Sequence, residues 1–232
     1  IRNAQKEYLE KEVKEAKDNN KWVIVSFHKS IYTGASHIVD SDIKAAREYW
    51  GPILSDLNVD IVLEGHDHVY ARGFITKEGN NANLAQNNDG SYFKHNGSPL
   101  YMVGGHAGGL KWYKKIDYKV SEGDPLSTNY SFLDINSADA KYNQDGLTSS
   151  DKQEQFYTIF EVSKDKISSK TYTFKYDTNT DTIIKEPVIY DSITISKEQI
   201  STNTPSTTDT PQISTNTPSD TFDSHDMKVL VY

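Results

Sequence analysis

The sequence predicts an α/β fold, a sandwich of mixed β-sheets flanked by helices and followed by a disordered C-terminal linker. Three observations predict it. Segments of helical apolar spacing at 3–18 and 43–57 alternate with the short apolar runs Trp22–Phe27 and Asp60–Glu64, the rhythm of a βαβ unit with parallel strands. Phe156–Val162, Ile167–Tyr176 and Val188–Ile195 are rich in β-branched and aromatic residues and are joined by short turns such as Lys164-Asp165-Lys166, as in an antiparallel meander. A Thr/Pro/Ser repeat then takes over, a composition that cannot bury a core.

In the first segment Ala4, Tyr8, Leu9, Val13 and Ala16 form an apolar stripe among Lys and Glu, so an amphipathic surface helix is expected, stopped at Asn19-Asn20. Trp22–Phe27 is apolar without interruption, as in a strand covered on both faces, and ends at His28. Beyond the loop Lys29–Asp40, the residues Ile43, Ala46, Trp50, Ile53, Leu54 and Leu57 mark a second helix, with Asp40 or Ser41 as its cap. Pro52 is expected to kink or split that helix. The next strand runs into Gly65-His66-Asp67-His68, and parallel pairing brings this turn and His28 to one edge of the sheet. Val69–Ile75 reads as a strand, Lys77–Ser98 as an exposed loop, and Pro99–Val103 as a strand entering Gly104-Gly105-His106-Ala107-Gly108-Gly109, where the glycines alone explain a tight turn.

Composition narrows the function classes. Twenty-five Lys and Arg face 33 Asp and Glu, a net charge of −8 with no basic run, which argues against nucleic-acid partners. Cysteine is absent, so disulfides, thiolate nucleophiles and cysteine-held metals are excluded, and any metal must take nitrogen and oxygen ligands. No apolar run approaches the roughly 20 residues of a membrane span. The stretch Gln199–Ser206 recurs as Gln212–Ser219, so 199–219 reads as a linker and 220–232 as a tail or the start of a further module. Such a linker, with the lack of cysteine, points to an extracellular or cell-surface location.

A histidine at the end of one buried strand and a G-H-x-H turn at the end of the next sit where open α/β sheets bind ligands. Imidazole is the commonest nitrogen ligand for transition metals. His28, His66 and His68 are therefore the candidate metal ligands. A mononuclear site for structure or storage would use the same three residues, and that alternative stays open.

Val25-Ser26-Phe27-His28 and Gly65-His66-Asp67-His68-Val69-Tyr70-Ala71-Arg72 resemble the V-x-x-H motif and the G-H-x-H motif, with its following aromatic and arginine, of the calcineurin-like metallophosphoesterases, and within them of the purple acid phosphatase-like branch. The resemblance runs from about Ala4 to about Gly109 and continues more weakly. It implies a metallophosphoesterase sandwich that hydrolyses a small-molecule phosphate ester, as an acid phosphatase does, at a binuclear centre of two divalent or trivalent ions (iron, zinc or manganese). By the same resemblance His28 and His66 bind one ion and His68 the other. His37, nine residues after His28, faces the substrate phosphate, where its conjugate acid would hold a phosphoryl oxygen or assist the leaving group.

Ser30 stands where the branch has proline in H-x-P-x-Y, which is expected to loosen the loop that carries His37. The family's upstream D-x-H or D-x-G, G-D-x-x-[DY] and G-N-H-[ED] motifs do not precede His28. Residues 1–198 are therefore expected to be the C-terminal part of a catalytic domain, inactive alone. A non-catalytic surface module of the same fold remains a rival. Asn143-Gln-Asp145-Gly146 is set aside as a calcium loop because Lys141 and Lys152 occupy its end positions, and Asn129-Tyr-Ser131 fits the glycosylation pattern. Substrate, metal identity and oligomeric state stay open.

Overall fold

A computed structural model of the chain describes residues 2–106, 113, 130–138, 154–177, 179–197 and 227–231. Residues 107–109 of the glycine turn, Asn129, the 143–146 loop and the 199–219 linker lie outside the described residues.

The elements run α1 (Arg2–Asp18), β1 (Trp22–Lys29), a 3-10 turn (Ser36–Val39), α2 (Ser41–Asp56), β2 (Ile61–Gly65), β3 (Tyr70–Phe74), β4 (Tyr92–Phe93), β5 (Leu100–Gly104), β6 (Ile135–Asn136), β7 (Glu154–Val162), β8 (Lys166–Asp177), β9 (Thr182–Ser196) and β10 (Met227–Val231). They form an α/β fold with two sheets, in the orders β10-β1-β2-β5-β3-β6 and β4-β9-β8-β7. In the first sheet β10, β1, β2 and β5 pair in parallel while β3 runs antiparallel to β5. The second is an antiparallel meander of β7, β8 and β9 with β4 added in parallel. β10 supplies the outer neighbour of β1, so the 220–232 segment contributes a strand to this sheet.

Strand alternation divides the core into layers. Val23 and Val25 of β1 pack with Leu9, Val13 and Ala16 of α1 and Leu54 of α2. Trp22 and Ile24 turn the other way, against Phe156, Ile167, Ile193 and Ile195 of the second sheet. Both faces of β1 are thereby covered, which is why its sequence is apolar without a break. The sheets are also tied by polar groups: Trp22 Nε1 donates to the Ser163 carbonyl at 2.8 Å, and Arg72 of β3 holds Asp191 of β9 through Nε at 2.5 Å and Nη2 at 3.0 Å.

Three expectations are adjusted. The buried stripe of α1 is Leu9, Val13 and Ala16, while Ala4 and Tyr8 are exposed. α1 does stop at Asn19-Asn20, where Asn20 takes φ 54° and Lys21 N–H returns to the Ala16 carbonyl at 2.9 Å. α2 passes unbroken through Pro52. A proline ring clashes with the preceding Cβ in helical backbone, and here the preceding residue is Gly51, which has none. The 77–98 segment is more ordered than a plain loop: it contains β4 and the bridges Ile75↔Asn81 and Gln86↔Tyr92. Asn81 and Asp89 side chains accept from Asn83 N–H at 2.6 Å and Ser91 N–H at 3.0 Å, so short polar side chains replace strand pairing there.

Candidate metal centre

Three strand ends of the first sheet carry the histidines. The β1/β2 register runs Phe27↔Glu64 and then Lys29↔Gly65, so His28 is the extra residue of a bulge. A bulge re-aims a side chain at a strand end, and here it presents an exposed His28 to the next turn. In that turn Asp67 N–H bonds back to the Gly65 carbonyl at 2.8 Å, and the residue between them, His66, has φ 67°. Those are the features of a γ-turn with positive φ, a strained conformation that persists only where its surroundings hold it. The result is a meeting of rings. His28 Nε2 lies 3.2 Å from His66 Nδ1, with centroids 5.1 Å apart and planes at 87°.

His37 sits on the 3-10 turn of the β1–α2 loop, its ring 5.1 Å from that of His66. Its Nδ1 is bonded to Asp67 Oδ1, while Asp67 Oδ2 accepts from the Thr33 hydroxyl. Ser30, expected to loosen this loop, instead donates its hydroxyl to the Gly65 carbonyl and ties the loop to the G-H-x-H turn. Ile31 N–H donates to Glu64 Oε1 at 2.8 Å, and buried Arg47 of α2 donates to the Ile31 and Ile38 carbonyls at 3.1 and 3.3 Å. Hydrogen bonds thus do the work that a proline ring would do elsewhere.

His68 also meets Tyr113. The Tyr113 ring is 4.5 Å from His37, 5.0 Å from His68 and 6.1 Å from His66. His68 stacks on His106 at 4.8 Å with planes 12° apart. Gly105, just before His106, takes φ 77°, and a Cβ there would stand 2.5 Å from Phe156 Cβ, so the chain passes too close to β7 for any side chain.

Two ligand sets are available for a metal. Two nitrogens on one tetrahedral ion with bonds of 2.0–2.1 Å stand about 3.3 Å apart. The 3.2 Å between His28 Nε2 and His66 Nδ1 fits that spacing. His37, His66 and Asp67 also present ligand atoms within 4.8 Å of one another, but both Asp67 oxygens are already engaged and the residue is 1% exposed. His28 and His66 are the pair whose nitrogens stand at the spacing of two ligands on one ion. Burial lowers the His66 pKa below the ordinary histidine value, His37 and His28 add to that, and Asp67 opposes it. The neutral ring this favours is the form that binds metal.

The structure brings His28, His37 and His66 into one cluster, and His68 is joined to it through ring contact with Tyr113. Two further residues of the cluster, Asp67 and Tyr113, were not singled out in the sequence as functional, and His106 was set aside in favour of its glycine turn. Asp67 occupies the free position of G-H-x-H, and its being a carboxylate was the only available signal. His106 reads as part of a glycine turn, and Tyr113 follows it without a motif.

The profile of the calcineurin-like phosphoesterase family matches residues 2–70, from α1 through the G-H-x-H turn. None of the curated proteins matches the chain. Twelve chains of solved structures match. One is a purple acid phosphatase isolated from yellow lupin (Lupinus luteus) seeds, 16% identical with a TM-score of 0.48, over 82% of this chain and 28% of that one. The present chain therefore spans just over a quarter of that chain's length. Among the described residues no helix is long and apolar enough to cross a membrane.

Proposed function

From the match of residues 2–70 to the calcineurin-like phosphoesterase profile, we propose that the chain is the C-terminal part of a metal-dependent hydrolase of small-molecule phosphate esters, of the acid phosphatase kind. Residues 1–198 belong to its catalytic domain, to whose first sheet 227–231 adds a strand, and the Thr/Pro/Ser repeat of 199–219 supports a place outside the cell. The observation that carries the reading is the 3.2 Å approach of His28 Nε2 to His66 Nδ1 at adjoining strand ends.

In this reading His28 and His66 hold one ion and His68 the second. When bound, the ions supply Lewis-acid polarisation of the phosphoryl group and a water of lowered pKa. The chain's own residues do the placing. The bulge at His28 and the γ-turn at His66 fix two imidazoles before any ion arrives, so little ordering is left for binding. His37, whose Nδ1 is engaged by Asp67, has Nε2 left to hold a phosphoryl oxygen or the departing oxygen.

The test is hydrolysis of p-nitrophenyl phosphate by the full-length protein, with metal counted per chain. Two ions, activity lost on chelation and restored by metal support the proposal. One ion per chain, unaffected by phosphate, and no hydrolysis would favour the mononuclear binding protein instead.

A further inference from the structure

We propose that Asp67 is a positioning residue for His37: its buried carboxylate accepts the Nδ1 proton of that ring, fixes one tautomer, and reserves Nε2 for the substrate. The inference rests on the proposed function for what His37 does, although the geometry stands apart from it.

Asp67 lies between two candidate metal ligands in sequence, yet it is 1% exposed and engaged with the β1–α2 loop. The hydrogen-bond inventory leaves little choice of roles. Ala35 N–H donates to Thr33 Oγ1 at 3.1 Å, so that hydroxyl accepts from the backbone and spends its single proton on Asp67 Oδ2. Where the carboxylate is ionised it only accepts, and its bond at Oδ1 then places the proton on His37 Nδ1. A charge-assisted bond of this kind sets both the tautomer and the ring plane. The loop does not depend on Asp67 alone: Tyr130 Oη donates to the Ala35 carbonyl at 3.3 Å and Asn136 Nδ2 to the Gly34 carbonyl at 3.1 Å. Removing the carboxylate should therefore release the ring before it releases the loop.

The test is the 15N spectrum of the His37 ring in the zinc-loaded full chain at about pH 8, above the ordinary histidine range, read beside kinetics with p-nitrophenyl phosphate. Wild type should show the Nδ1–H tautomer. Asp67→Ala should move His37 toward the Nε2–H tautomer that free imidazole favours and lower kcat by roughly 10–100-fold, with KM and zinc content little changed. Asp67→Asn keeps the shape but offers one acceptor to two donors, so with its oxygen held by Thr33 its amide NH2 faces His37 and should, as Asp67→Ala does, favour the Nε2–H tautomer and lower kcat. Thr33→Val, which removes only the other tie, should keep the Nδ1–H signal. An Nε2–H signal in wild type overturns the proposal, as does an unchanged kcat in a folded Asp67→Ala or a loss that merely tracks lost zinc. If Asp67→Ala does not fold, the wild-type and Asp67→Asn spectra decide. A wild type that hydrolyses nothing overturns the assigned function, while the tautomer still decides whether Asp67 positions the ring.

Discussion

A Cβ on Gly65 would stand 3.2 Å from the His28 carbonyl oxygen and 3.7 Å from His28 Nδ1. The glycine of the G-H-x-H turn is thus the space into which the bulged strand end of β1 leans. The first neighbour is backbone and gives way only if the bulge itself moves. Gly65→Ala should leave the fold intact, destabilise it by about 1–3 kcal/mol, and weaken zinc binding by about tenfold through a displaced His28. Thermal melting and chelator competition on the full-length protein check both figures. Unchanged zinc affinity would mean that the close approach does not set the His28 geometry.

Arg72 joins the two sheets. It holds Asp191 bidentately, pairs with Asp134 at 3.5 Å, and shares Asp191 with the Tyr70 hydroxyl at 2.7 Å. The Arg72 and Asp191 side chains are 7% and 10% exposed. Arg72→Met leaves a buried carboxylate with only neutral partners, the Tyr70 hydroxyl and the Ser192 N–H, and should cost about 3–5 kcal/mol in urea unfolding. Adding Asp191→Leu should recover part of that loss, because no charge is then stranded. If the two losses simply add, the pair is not the tie described.

Burial pushes the Glu64 carboxyl up to about 8, against the N–H groups of Ile31 and Tyr32 that lower it. A folded-state pKa above the unfolded one means that the folded chain holds the proton more tightly. The stability this contributes is complete below the ordinary carboxylate value of 4.5 and is lost as pH rises through about 8. The metal-free full-length protein should melt at falling temperature across that window, by an amount on the order of a few kcal/mol. Glu64→Gln, which cannot ionise, should flatten the slope. Parallel slopes in the two proteins would contradict the assignment.

The local order of the chain was legible because apolar periodicity records what each residue packs against. Trp22–Phe27 reads as a doubly covered strand and is one, and the Asn19-Asn20 stop lies where α1 ends. What escaped was set by partners distant in sequence. Pairing of β10 with β1 joins segments on either side of the whole domain, and no periodicity in 227–231 names its partner. The split expected as one outcome at Pro52 does not occur, and α2 runs on through it with Gly51 before the proline. Strand ends predicted where the histidines would gather, but ring contacts depend on loop placement. Asp67 illustrates this: it is an unremarked letter between two histidines until the Thr33–His37 loop folds over it.

In the proposed reading His66 holds a metal needed for phosphoester hydrolysis. The most direct test is His66→Ala in the full-length protein, with bound metal and p-nitrophenyl phosphate turnover measured on the same sample. The account predicts loss of bound metal and a fall in activity of at least about 100-fold, with the circular dichroism spectrum unchanged. Wild-type turnover at matched metal content would contradict it.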